Sequence, residues 1–121
     1  HFVQQAGIAV LREGRRDVEI MRDAYDRRRR HIVERLRALG LGVRRMPQEA
    51  FYVLADARSI HPDSLKLAME ILEATGVAIT PGIDFGEGAE GYLRFSYANS
   101  LENIDRAMDL LGTFFREQRW L

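Results

Sequence analysis

Arg94 is the residue whose type and setting most invite chemistry. It stands in the middle of Tyr92-Leu93-Arg94-Phe95-Ser96-Tyr97. Alternation with a period of two puts Leu93, Phe95 and Tyr97 on one face of a strand, and Tyr92, Arg94 and Ser96 on the other. A guanidinium does not lose its charge, so an enclosed arginine needs an anionic partner. Its planar fork meets a carboxylate with two hydrogen bonds, which fixes position as well as energy. Two readings stay open at this level. Arg94 faces solvent or pairs with a local acid, or it clamps the carboxylate of a ligand.

Other constellations are weaker. Gly86-Glu87-Gly88-Ala89-Glu90-Gly91 matches G-x-G-x-x-G literally. A dinucleotide loop of that form follows a strand and opens a helix, so that backbone N–H groups meet the phosphates. Here the glycines precede a strand, and Glu87 and Glu90 would repel a phosphate. A flexible loop is the expectation. His1, His31 and His61 are 30 residues apart and lack metal-ligand spacing, so surface histidines are expected. Ser96 and Ser100 lack the strand-to-helix turn of a nucleophile elbow. Lys66, the only lysine, falls inside a predicted helix and is read as a surface residue.

The composition sets the frame for these residues. With 121 residues, 46% hydrophobic and 30% charged, the chain matches one ordinary globular domain. Acids and bases balance at 18 each, so no global field draws nucleic acid or membrane. Locally the balance shifts: residues 12–45 hold twelve Arg against six acids, including Arg27-Arg28-Arg29-Arg30. Four consecutive helical residues point around most of a helix and make no single stripe. Asp23 to Arg27, Asp26 to Arg30 and Arg30 to Glu34 fall at salt-bridge spacing, so a solvated, paired helix face is expected. No stretch reaches about 18 consecutive apolar residues, so no membrane-spanning helix is expected. Cysteine is absent, which excludes disulfides and thiolate chemistry and fits a reducing, cytoplasmic setting. The chain opens at His1 without a Met, and a processed product or a fragment is expected.

The predicted elements run α, α, β, β, α, β, β, α. A short helix covers Phe2 to Leu11, and Gly14 weakens helical structure just beyond it. Asp17 is placed to cap a helix over 17–39, where Met21, Tyr25, Ile32, Leu36 and Leu39 share a face and Gly40 ends the run. That helix would be about 34 Å long, reaching beyond so small a core. Strands are expected at 43–46 and 50–55 with a tight turn at Pro47-Gln48-Glu49. Pro62 and Asp63 open a helix over 62–75 that buries Leu65, Ala68, Met69 and Leu72. A short strand covers 77–80, an irregular loop 81–91, and a strand 92–97. Ser100 caps the last helix, over 101–117, with Ile104, Met108, Leu111 and Phe115 inward. The sum is an α+β two-layer domain: an antiparallel sheet of 43–46, 50–55 and 92–97, covered on one face by helices 62–75 and 101–117.

Taken together, the segments resemble a known family. Val77-Ala78-Ile79-Thr80-Pro81-Gly82-Ile83-Asp84-Phe85-Gly86, then Gly91 to Ala98 around Arg94, then a capped helix, resemble the end of a class I/II aminotransferase. These are fold type I enzymes that use pyridoxal phosphate (PLP). Arg27 to Arg30 resemble the R-R-(D/R)-x stretch of the helix joining that family's two domains. Pro47-Gln48-Glu49-Ala50-Phe51-Tyr52 resembles its P-x-G-A-F-Y turn, with Glu49 where the family usually has Gly. The resemblance runs over nearly the whole chain.

By that resemblance, residues 1–121 form one domain, the C-terminal small domain of an aspartate-aminotransferase-like enzyme, with 1–40 as interdomain helices and 41–121 as the α+β unit. The resemblance also implies that Arg94 binds the substrate's α-carboxylate as the domain closes over it. The implied substrates are an amino acid and a 2-oxo acid, the cofactor is PLP, and the full enzyme is a homodimer. No residue of this segment is expected to be catalytic, because the family's attachment lysine lies in the large domain. Residues 2–25 should then expose an apolar surface that the large domain covers. Arg94 should lie partly exposed at an open edge, without a two-pronged bond to any acid of this chain. Two alternatives stand beside this reading: another PLP enzyme of the same fold, a lyase or an acyl-CoA transferase, or a non-catalytic α+β interaction module.

Overall fold

Residues 1–120 are described in the computed structural model. The first third of the chain is helical: α1 spans Phe2–Glu13 and α2 spans Arg15–Ala38. Hydrogen bonding runs on through the junction, from the Gly14 N–H to the Val10 carbonyl at 2.8 Å and from the Val18 N–H to the Gly14 carbonyl at 3.0 Å. No reversal of the chain separates the two helices. Asp17 therefore does not cap α2 as expected but sits within its first turn. Gly40 ends α2 as expected, at φ 74°. Its N–H reaches the Arg37 carbonyl and the Leu41 N–H the Leu36 carbonyl, the paired bonds of a Schellman end.

The core forms where three helices meet one face of a three-stranded antiparallel sheet. Strand β1 is Tyr52–Asp56, β2 is Thr80–Pro81 and β3 is Tyr92–Ser96, in the order β1-β3-β2. Helix α3 spans Ser64–Thr75 and α4 spans Leu101–Glu117. Val53 and Ala55 of β1 and Leu93 and Phe95 of β3 face Ile32, Val33 and Leu36 of α2, Leu67 and Ile71 of α3, and Ile104, Met108, Leu111 and Phe115 of α4. The α4 stripe is the one that periodicity predicts, and Ser100 caps it by accepting from the Asn103 N–H. Among the described residues no α-helix covers the opposite face of the sheet, where Tyr52 and Leu54 stay exposed.

The sheet differs from expectation at its first strand. Residues 43–46 form no strand; only Gly42 pairs, through one antiparallel bridge to Asp56. The cause is competition for backbone acceptors. Arg37 of α2 donates Nε and Nη2 to the Val43 carbonyl, at 3.1 and 2.9 Å, and Arg29 donates to the Pro47 carbonyl. These side chains pull the segment toward α2 instead of leaving it free to pair. The expected hairpin is thus a crossing loop, and β1 starts at Tyr52. The strand expected at 77–80 is likewise shortened to β2, because the Val77 N–H is taken by the Thr75 hydroxyl.

Helix α3 is rotated relative to expectation. It buries Ser64, Leu67, Ala68 and Ile71, and leaves Leu65, Met69 and Leu72 exposed. Both stripes are apolar at helical spacing, so period alone cannot choose between them. Ser64 decides. Its N–H bonds to Glu90 Oε1 at 2.6 Å and its hydroxyl accepts from the Ile83 N–H at 3.1 Å, which pins that residue inward. Pro62 precedes the cap and is not the first helical residue; the Asp63 carboxylate caps α3 by accepting from the Lys66 N–H.

Candidate functional site

The register of β3 is what presents Arg94. With Leu93, Phe95 and Tyr97 buried, a slip by one residue would turn three large apolar side chains to solvent. Arg94 is therefore held on the uncovered face of the sheet. Its partners across the ladder are Leu54 of β1 and Thr80 of β2. It is half-buried there.

Around the guanidinium stand a hydroxyl and two aromatic rings. Nη2 donates to Thr80 Oγ1 at 3.2 Å. The guanidinium carbon lies 5.1 Å from the centre of the Tyr52 ring and 4.8 Å from that of Phe85. Among the described residues no Asp or Glu pairs with Arg94. Arg58, near the end of the same sheet, shows the contrast. It also lies over a ring, Tyr92 at 5.1 Å, yet it grips Asp56 with Nε and Nη2 at 2.8 and 2.5 Å. That hydrogen-bonded guanidinium holds the Asp56 carboxyl below its ordinary range. Arg58 has its anion, and Arg94 has none.

Phe85 reaches Arg94 from a loop that glycine makes possible. Residues Gly82–Phe85 and Glu87–Ala89 form two short 3₁₀ turns folded against one another. A Cβ on Gly82 would stand 1.9 Å from the Ala89 carbonyl oxygen, so only glycine fits that approach. The far end of the loop is pinned by Glu90, whose Oε1 accepts from the Ser64 and Gly91 N–H groups at 2.6 and 3.0 Å. The hydrogen bond from the Ser64 N–H, helped by that from the Gly91 N–H, holds the Glu90 carboxyl below its ordinary range. The G-x-G-x-x-G segment is thus an anchored structural loop and not the slack one expected. Glu90 is turned inward to fasten it.

The remaining candidates have structural employment. His31 Nε2 lies 2.6 Å from Asp105 Oδ1, and Arg35 bonds to both Asp105 and Asp109, so these groups join α2 to α4. His61 Nδ1 accepts from the Asp63 N–H. Among the described residues, no cluster of three His, Cys, Asp or Glu side chains is placed to hold a metal ion. Asp26 pairs with Arg30 at 3.0 Å as expected and also with Arg29, whereas Asp23 takes Arg22 and not Arg27. Tyr52, Thr80 and Phe85 were not foreseen beside Arg94. Alternation in β1 places Tyr52 on the face of Leu54, which is a signal; Phe85 lies outside any strand and leaves none.

The chain is similar to known proteins over most of its length. The family described as aminotransferase class I and II matches residues 1–111. The aspartate/prephenate aminotransferase of Thermus thermophilus is 50% identical over 92 residues, covering 76% of this chain and 23% of that protein. The aspartate aminotransferase of Pyrococcus abyssi is 37% identical over 120 residues, covering 98% of this chain and 31% of its own length. Among solved structures, a Pyrococcus protein named A1 superimposes with a TM-score of 0.93 at 36% identity, over 99% of this chain and 31% of that one. The aromatic aminotransferase of Pyrococcus horikoshii gives 0.84 at 36% identity, over 88% and 28%. The chain spans about a quarter to a third of the length of these relatives.

Proposed function

The chain belongs to the aminotransferase class I and II family, and we propose that within a longer enzyme it supplies Arg94 to receive the α-carboxylate of the substrate. The enzyme would move an amino group between an amino acid and a 2-oxo acid. The observation that carries this reading is a half-buried arginine, oriented by three side chains, with no acid of its own. Every amino acid and every 2-oxo acid brings the carboxylate that this fork lacks. A two-pronged contact fixes the substrate in place and removes rotational freedom before the chemistry begins.

PLP would supply the electron sink for breaking bonds at the substrate's α-carbon. The described residues do not form its attachment site. Lys66, the sole lysine, is exposed on α3 with its Nζ 3.9 Å from Glu70. The coenzyme is accordingly assigned to residues outside these 121. Residues 1–40 would form the arm joining this unit to the rest of the enzyme, and 41–121 the unit that closes on the substrate. The exposed apolar side chains of α1 support that division, since no residue of α1 is buried. The full enzyme would be a homodimer, its subunits joined mainly outside this unit.

The test is made in the full-length protein. Arg94→Lys keeps the charge and loses the planar fork, and Arg94→Ala loses both. Losing a charge-assisted, two-pronged contact costs roughly 2–4 kcal/mol, so kcat/KM should fall by about 30- to 1,000-fold in Arg94→Ala. Coenzyme absorbance should survive in both variants. Unchanged turnover of amino acids in Arg94→Ala would remove the assignment.

A further inference from the structure

We infer that Phe85 and Tyr52 are positioning residues for Arg94, holding its guanidinium by their ring faces so that its hydrogen-bond donors stay free for a carboxylate. The inference rests on the reading of Arg94 as the carboxylate site. A long arginine on an uncovered sheet face would otherwise sample many rotamers, and ordering it on binding would weaken affinity. Proteins commonly fix such a side chain with an acid, as Asp56 fixes Arg58 in this chain. An acid fixes the fork by occupying it. An aromatic ring fixes it differently: its electron-rich face attracts the cation while accepting none of the in-plane N–H bonds. Arg94 has two such rings within 5.1 Å, from two separate elements, and one neutral hydroxyl acceptor on Nη2. Its other donors have no protein acceptor among the described residues.

The two rings arrive by unrelated routes. Tyr52 opens β1 and pairs with Ser96, which places its ring beside the Arg94 position on the same face. Phe85 ends the first 3₁₀ turn, whose path the Gly82 approach to Ala89 and the left-handed Gly86, at φ 101°, both require. Phe85 is 51% exposed and Tyr52 39% exposed. Neither ring is accounted for by burial in the core. Their common neighbour is the guanidinium.

The deciding experiment is steady-state kinetics on the full-length holoenzyme, with its best amino donors and 2-oxo acceptors, carrying changes at Phe85. Phe85→Leu should raise KM about 3- to 30-fold for all substrates alike, with kcat little changed, because the contact is made to a carboxylate common to all and in ground and transition states equally. Phe85→Tyr keeps an electron-rich face and should stay within about twofold of the parent. Pentafluorophenylalanine at position 85 keeps the ring's shape but removes its negative face, and should resemble Phe85→Leu. Arg94→Ala serves as the reference. If Arg94→Ala is impaired while both Phe85→Leu and the fluorinated ring match the parent, the aromatic clamp is wrong and the carboxylate assignment stands. If the fluorinated ring behaves as phenylalanine while Leu does not, Phe85 acts by packing alone, and the inference is overturned. If Arg94→Ala is itself unimpaired, both readings fall together.

Discussion

At the scale of single residues, Ala50 holds a backbone conformation that its own side chain resists, left-handed at φ 69°. It persists because its carbonyl accepts the Tyr97 hydroxyl at 2.9 Å, inside the core. The turn's departure from the family pattern lies one residue earlier, at Glu49, whose φ is not positive, so Glu49 bears no strain on that account. Relief of left-handed strain is worth about 1–2 kcal/mol, against about 0.4–1 kcal/mol of added unfolded-chain entropy. Ala50→Gly should therefore stabilise the protein by roughly 0.5–1 kcal/mol, read from denaturant midpoints. A loss of stability would mean that the Ala50 methyl makes contacts outweighing the strain.

At the scale of elements, the loop over 81–91 depends on Glu90. Its folded carboxyl sits below the ordinary range because the Ser64 N–H favours the charged form. The sign follows from linkage: the contribution is fully present above the ordinary carboxylate range and is lost as pH falls through the lowered folded value. Glu90→Gln keeps one acceptor oxygen and removes the titration. The stability of parent and Glu90→Gln should differ at neutral pH and converge in acid, followed by unfolding at stepped pH. Parallel curves across that range would exclude Glu90 as the titrating anchor. At this same scale the sequence was legible in part. Strand β3 could be read because Leu93, Phe95 and Tyr97 alternate with polar partners, and α4 because one apolar stripe dominates it. Residues 43–46 carry a strand pattern but form none, because Arg37 claims the Val43 carbonyl and Arg29 the Pro47 carbonyl just beyond, contacts that no local pattern reveals. The buried face of α3 is not legible from period, because two apolar stripes compete and a buried serine settles the matter. Alternation places Arg94 opposite Leu93, Phe95 and Tyr97 with two readings open, and the same period puts Tyr52 on the Arg94 face; Phe85 required the loop geometry.

At the scale of the whole molecule, the domain is unevenly finished. The sheet, α3, α4 and the last turns of α2 share one core, whereas α1 leaves Phe2 82% and Leu11 88% exposed. Val18, Ile20 and Met21 continue that apolar surface into α2. Helices without tertiary burial are marginal in water, so these segments should fray when nothing covers them. In the isolated 121-residue chain, amide hydrogens of residues 2–25 should exchange much faster than those of α4. In the full-length protein they should be protected. Equal protection in both would mean that α1 is stabilised by its own chain.

The role proposed for Arg94 turns on where a substrate's carboxylate goes. A crystal structure of the full-length holoenzyme with a bound amino acid or a carboxylate analogue would locate it. Two N–H···O contacts from Arg94 to that carboxylate are expected, at about 2.7–2.9 Å, with Thr80, Tyr52 and Phe85 still around the guanidinium. A carboxylate held by another cation, with Arg94 turned to solvent or paired to an acid of this chain, would contradict the assignment.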